Sequence, residues 1–144
     1  MRKMILFLFI FLIGNAFLHS SEIIAKIHSR VADYRLKVFQ NGENVSIEVL
    51  QNSIKKQTLS VEGVTLNYSE TSQGLFKNGI WLEDFNFDGY KDIAALVTHG
   101  VTGNFTVKVF LYHVQQKRFV YHPGFSSIPS PRLNKRQGLI LGFE

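Results

Sequence analysis

The sequence Trp81-Leu-Glu-Asp-Phe-Asn-Phe-Asp-Gly-Tyr-Lys-Asp-Ile93 carries the most specific signal in the chain. Within it, Asp84, Asn86, Asp88 and Asp92 follow the pattern D-x-N-x-D-G-x-x-D. Short side chains that carry oxygen at positions 1, 3 and 5 of such a loop converge on one hard cation. Asp92 closes the loop at position 9. The spacing therefore predicts a calcium-binding loop at residues 84–92.

Other residues of the loop agree with this interpretation. The carbonyl of Tyr90 falls at position 7, where calcium loops use a backbone ligand. Gly89 stands where the chain must turn sharply, which glycine does at the lowest steric cost. Phe85 and Phe87 alternate with the ligands, so an extended backbone would direct both rings inward. The predicted metal ligands are Asp84, Asn86, Asp88, the Tyr90 carbonyl and Asp92.

The motif differs from a full EF-hand. Position 12, where a bidentate Glu belongs, is Ala95. Its flanks do not read as helices, because Asn78-Gly79 is a turn signal and Ile93–Val97 is a short apolar run typical of a buried strand. We therefore expect a calcium loop between two strands. The alternative is a polar hairpin whose carboxylates are only solvated.

The amino terminus has the organisation of a secretory signal peptide. A basic start, Met1–Lys3, precedes an unbroken apolar run, Met4–Ile13. Gly14-Asn-Ala16 offers small residues for cleavage, and Leu18-His-Ser20 is a second candidate site. We expect residues 1–20 to be removed and residues 21–144 to form the β domain in the periplasm or outside the cell. The alternative, a permanent membrane anchor, requires a longer apolar stretch than this one.

Charge and composition argue against a disulfide-stabilised protein and against a nucleic-acid-binding protein. The chain has 144 residues, enough for one domain, and no cysteine. Without Arg2 and Lys3 its formal charge of +5 becomes about +3. Three pairs among the remaining basic residues resemble solvated turns, and no basic stripe with interleaved aromatics indicates a nucleic-acid surface. Weak attraction to an acidic partner stays open. The pairs are Lys55-Lys56, Lys117-Arg118 and Lys135-Arg136.

Alternation of apolar and polar residues predicts an all-β, mostly antiparallel domain. The clearest hairpin joins Tyr34–Val38 to Val45–Val49 through Asn41-Gly42. A long alternating segment, Phe105–Tyr112, turns at 115–117 into a shorter strand. The expected strands, beyond this hairpin and the run at 93–97, are Glu22–His28, Thr58–Val61, Val64–Tyr68, Phe105–Tyr112, Phe119–Tyr121 and Leu139–Leu141.

The order of these segments resembles a group of small bacterial envelope proteins with a calcium loop in a propeller-like β fold. For this chain we expect a single antiparallel β domain, propeller-like or sandwich-like. The segments are Glu83–Asp92, then Thr102–Phe105, then Lys117–Tyr121, and the likeness covers Ile80–Leu141. The group includes periplasmic inhibitors of invertebrate-type lysozyme and immunity proteins against effectors that cleave peptidoglycan. The resemblance implies a lysozyme-like or other peptidoglycan hydrolase as the partner.

In the lysozyme inhibitors of that group, a protruding Ser-Gly-x-Tyr loop blocks the enzyme cleft. The matching residues are Thr102, Gly103, Asn104 and Phe105, so the resemblance implies that these four contact the partner. Thr retains a hydroxyl, whereas Phe lacks the phenolic donor. The alternative is an ordinary glycine-containing turn that enters a strand.

Other function classes have less support in the sequence. The carboxylates around Asp84 would be held ionised by a cation, which suits structure better than the acid catalysis of a cell-wall glycosidase. Integrin-like adhesion modules use similar loops in tandem, whereas this chain has one. We expect a non-enzymatic, exported binding protein without a stable membrane anchor.

Overall fold

The computed structural model describes residues 19–71 and 74–142. The predicted signal peptide lies outside these residues except for its last two positions, His19 and Ser20, which already belong to the first strand. Within the described residues, no helix has the length and apolar character to span a membrane.

The first four strands form an antiparallel meander, sheet A, in the order β1-β2-β3-β4. Alternation decides which side chains face inward: along β2 every second residue from Tyr34 to Val38 is buried. The predicted turn at Asn41-Gly42 joins β2 to β3. The strand bounds are β1 His19–Ala25, β2 Tyr34–Asn41, β3 Asn44–Gln51 and β4 Ile54–Val61.

The next four strands form a second antiparallel meander, sheet B, in the order β5-β6-β7-β8. Its β6 strand is buried over its first five residues, because both faces of the sheet are covered. This coverage explains the continuous apolar run at 93–97 in the sequence. The strand bounds are β5 Ile80–Glu83, β6 Asp92–His99, β7 Phe105–His113 and β8 Arg118–Tyr121.

A short C-terminal unit follows sheet B. One helical turn, α1 (Pro123–Ser126), begins after His122, whose ring nitrogen accepts a hydrogen bond from the Phe125 amide. A two-stranded hairpin then pairs β9 (Arg132–Asn134) with β10 (Leu139–Leu141). The sequence predicted the last strand correctly but not its partner.

Two apolar clusters lie on the two faces of sheet B. The first joins Leu36 and Ile47 of sheet A to Ile93 and Phe110 of sheet B, all of them buried. The second covers the opposite face around Trp81, and residues of α1, β9 and β10 pack against it. The prediction of a nearly all-β, antiparallel domain is confirmed.

One predicted hairpin is wrong. Thr58–Val61 belongs to β4, which pairs with β3, whereas Val64–Tyr68 does not form a strand. Residues 68–70 form a single 3-10 turn instead, and the Tyr68 hydroxyl donates a hydrogen bond to the Leu96 carbonyl at 2.6 Å. Tertiary contacts, not a ladder of strand hydrogen bonds, therefore fix this segment. The first strand also ends earlier than predicted, so that His28 lies beyond it.

Candidate functional site

The predicted calcium loop is the connection between β5 and β6. Glu83, the last residue of β5, and Asp92, the first residue of β6, are partners in the strand register. Residues 84–91 leave the sheet between them. The ladder thus holds the two ends of the loop together, and all five predicted ligands lie within this connection or at its closing residue.

Hydrogen bonds inside the loop orient the carboxylate of Asp84. Its two oxygens accept the amide hydrogens of Asp88 at 3.1 Å and of Gly89 at 2.8 Å. Gly89 has a φ of +90°, which a side chain would oppose. Because each carboxylate oxygen has two lone pairs, these contacts leave acceptor capacity on both oxygens.

Asn86 and Asp88 form the exposed part of the loop. One oxygen of Asp88 accepts the Tyr90 amide at 2.8 Å, and the other accepts the Asn86 side-chain amide at 2.9 Å. Asn86 Oδ1 also accepts the Asp88 amide at 3.2 Å. The side chains at positions 1, 3 and 5 are therefore linked through one compact turn.

Asp92 lies in a different environment from the other predicted ligands. It is fully buried, and its two oxygens accept the amide hydrogens of Phe85 and Tyr112, each at 2.8 Å. Burial raises its pKa to about 7, against the effect of these two bonds, and the charges of Asp88 and Asp84 act in the same direction as burial. A bound cation would offset the unfavourable free energy of ionising this buried carboxylate and would keep it charged.

The two phenylalanines of the loop behave differently. Phe85 is buried, and its ring packs against Trp81 with the centroids 4.9 Å apart, as predicted. Phe87 stays half-exposed and adopts a φ of +58°. The prediction that both rings point inward is therefore wrong for Phe87, because the backbone is not extended there.

The donor set of the loop fits calcium in its chemistry: three carboxylates, an amide oxygen and a backbone carbonyl, all hard oxygens. Within the described residues, however, no three acidic or histidine side chains gather closely enough to hold a metal by themselves. For the predicted ion to bind, the carboxylates would have to draw together, with Asn86 and the Tyr90 carbonyl completing the ligand set. Calcium remains a prediction.

Three aromatic rings pack together beside the loop. The Tyr90 ring lies 4.7 Å from the His28 ring and 5.8 Å from the Tyr112 ring, measured between centroids. In the same region the Lys91 amide donates to the Ile27 carbonyl at 2.9 Å. Sequence reasoning missed the role of His28, because its segment is distant in the chain and has no motif.

The carboxylates do not combine into an accessible acid–base pair. Although partial burial opposes ionisation, the hydrogen bond from Lys135 to Glu83, at 2.8 Å, keeps the pKa of Glu83 below its ordinary value. Asp92 has the raised pKa that an acid catalyst needs, but it is sealed from solvent. A glycosidic oxygen could not reach it in this conformation.

The predicted contact loop is the turn between β6 and β7. Thr102, Gly103 and Asn104 are exposed, and Val101 is fully exposed at the tip. The turn is closed by the Gly100 amide, which donates to the Asn104 carbonyl at 2.6 Å. These residues form an exposed, hydrogen-bonded turn, which we call the tip.

Phe105 is only partly available for a partner. Its side chain is half-buried, and its ring packs edge-on against Phe76 with the centroids 5.3 Å apart. The Ser130 hydroxyl accepts its amide hydrogen at 3.0 Å. The aromatic side chain therefore anchors the base of the tip within the second apolar cluster.

The predicted calcium loop and the tip lie at opposite ends of β6. Asp92 begins this eight-residue strand, and the tip follows His99 at its end. At about 3.3 Å per residue the two features are about 25 Å apart. An ion in the loop would therefore influence the tip only through the strand and its neighbours.

Comparisons of the chain with models of protein families, with curated proteins and with solved structures found no match.

Proposed function

We propose that the chain is an exported, calcium-stabilised binding protein, not an enzyme, that inhibits or confers immunity to a lysozyme-like peptidoglycan hydrolase. The observation that carries this proposal is the β6–β7 tip, which has an exposed hydroxyl, amide and aliphatic side chain on a turn closed by a backbone hydrogen bond. A preordered turn loses little conformational entropy when it binds, so it suits insertion into an enzyme cleft.

The tip has the chemistry that a hydrolase cleft would recognise. Thr102 can donate a hydrogen bond to a catalytic carboxylate, and Asn104 can donate or accept. Val101 adds apolar surface at the apex. The four-stranded meanders, which we take as a propeller-like arrangement, would hold this turn away from the body of the protein. Calcium at residues 84–92 would stabilise the far end of the same sheet.

The test uses the mature protein, residues 21–144, and purified lysozyme-like hydrolases, beginning with any encoded beside its gene. Thr102→Ala and Asn104→Ala should each weaken inhibition about tenfold or more without lowering the melting temperature, as expected for central contacts. Thr58→Ala, an exposed threonine on β4, is the matched control and should change neither property. If no hydrolase is bound, or the tip variants inhibit as well as the parent, the proposal fails.

Export is tested separately. Mass spectrometry of envelope extracts should find a chain that starts between Phe17 and Ile24. An intact Met1 in the membrane pellet would contradict the periplasmic location that we propose.

A further inference from the structure

We propose a second interaction surface, independent of the tip: a cationic cleft that binds an acidic segment of a partner protein. The cleft lies between the β3–β4 and β7–β8 turns and has a volume of about 410 Å³. Three cationic and three amide side chains line it, and no carboxylate does. They are Gln51, Lys56, Gln57, Gln116, Lys117 and Arg118.

The cations of the cleft are not neutralised within the fold. In the described part of the chain, Lys56, Lys117 and Arg118 make no ion pair, and all three are exposed. Glu48, on the strand next to β4, is engaged by Lys55 at 3.0 Å. The concave surface therefore presents three adjacent positive charges to an incoming anion.

A β-bulge places Lys56 in the cleft. Val49 pairs with Gln57 and Leu50 pairs with Lys55, so Lys56 is the extra residue of β4. A bulge bends the strand and changes the direction of its side chains. Lys56 therefore has no partner in the register of β3.

Lys117 reaches the cleft from an unfavourable backbone conformation. Its φ is +50°, a region that a residue with a Cβ rarely adopts and that glycine adopts freely. Two independent backbone irregularities therefore bring lysines from two separate sheets to one concavity. The turns that sequence analysis treated as separately solvated form one site.

An acidic peptide fits this site better than a planar surface does. The base of the cleft lies between two turns and is closed by the side chain of Gln57. This side chain accepts a hydrogen bond from the Phe119 amide at 2.9 Å and donates one to the Phe119 carbonyl at 2.6 Å. A bilayer cannot enter such a concavity, whereas Asp or Glu side chains of a flexible segment can. Arg118 offers a bidentate contact to one of them.

The experiment measures binding of labelled hexaglutamate to the mature protein at low salt, with hexaglutamine as the uncharged probe. We expect hexaglutamate alone to bind, and salt to weaken it, because exposed charges are screened. Lys117→Gly removes a cation in a conformation that glycine accepts, so it should weaken binding about two- to fivefold without loss of folding. Lys117→Gly combined with Arg118→Gln should weaken it further.

Arg136→Gln is the matched control, since it removes one charge from the exposed β9–β10 turn. It should leave binding unchanged. An equal loss in this control would mean that only net charge matters, and would overturn the site. The site would also be overturned if hexaglutamate did not bind, or if inorganic phosphate competed equally well. The same holds if the protein bound phosphatidylglycerol vesicles more strongly than it bound either phosphatidylcholine vesicles or the peptide. The tip variants test the inhibitor proposal and should bind hexaglutamate normally.

Discussion

Asp92 is a buried carboxylate whose protonation couples folding to pH. Its pKa is about 7 in the folded protein and 3.8 ordinarily, so the folded state binds more protons than the unfolded state between these values. The contribution of Asp92 to stability therefore falls as the pH rises through this range. A calcium ion would reverse the trend, because it favours the ionised form.

We accordingly predict a pH-dependent response to calcium. In chelator, the melting temperature should be higher at about pH 5 than at about pH 8, and added calcium should raise it more at the higher pH. Asp92→Asn removes the titrating carboxylate, so it should reduce the difference in melting temperature between the two pH values by the contribution of Asp92. Thermal melts of both proteins at the two pH values measure it. Identical pH profiles would refute the role of Asp92.

Gly79 is a second single-residue determinant. Its φ is +72°, and a Cβ at this position would run into the ring of Tyr68, the residue that bonds Leu96. Gly79→Ala should therefore lower the free energy of unfolding by about 3 kcal/mol or more, from backbone strain and overpacking together.

Gly42→Ala is the control for this substitution. Gly42 also has a positive φ, of +59°, but its Cβ would meet nothing. It should cost about 1–2 kcal/mol from backbone strain alone. Urea unfolding of both variants separates the two effects, and equal losses would show that the Tyr68 ring moves aside at little cost.

At the scale of elements, the edges of the two sheets are joined by a side chain. Gln57 of β4 bonds the amide and the carbonyl of Phe119 in β8, as a neighbouring strand would. Gln57→Ala would leave both backbone groups without these partners at a part-buried seam. We expect a loss of about 1–3 kcal/mol.

The comparison for Gln57→Ala is Gln115→Ala in the exposed β7–β8 turn, which should change stability by less than about 0.5 kcal/mol. Chemical denaturation measures both. If the two variants lose the same stability, water replaces the bonds of Gln57 and the seam contributes little.

Sequence patterns predicted the elements whose burial follows a simple period. The β2–β3 hairpin alternates over most of its length, whereas the first five residues of β6 and residues 109–112 of β7 are buried continuously because both faces of sheet B are covered. The start of β4 was not predictable, since Ile54 is exposed and two exposed lysines, Lys55 and Lys56, follow it. Val64–Tyr68 was misassigned, because contacts with distant residues override its local propensity.

The candidate site was predictable in its residue identities more than in its environment. The spacing of the acidic residues indicated the loop at residues 84–92, but full burial of Asp92 depends on the Tyr112 amide from another strand. The convergence of Lys56 and Lys117 likewise depends on sheet packing, which no local pattern encodes.

At the scale of the whole molecule, calcium should act on global stability. An affinity on the order of 10⁻⁴ M is typical of extracellular sites. One millimolar calcium would then stabilise the fold by about 1.4 kcal/mol. For a domain of this size that corresponds to a rise in melting temperature of about 5 °C. Asp88→Ala should abolish the rise, and Glu62→Ala, an exposed acid outside the loop, should retain it. A parent melting curve that chelator leaves unchanged would exclude the calcium site.

The order of strands has a consequence for how the chain acquires its structure. Within both meanders every strand pairs with its neighbour in the sequence, so the hairpins close short loops and should form quickly. Sheet A is complete at Val61, but its inner face, with Leu36 and Ile47, is covered only when sheet B arrives. A chain that emerges from a translocation channel amino terminus first would hold an uncovered apolar sheet during that interval. Fragments that end before β5 should therefore aggregate or recruit a chaperone.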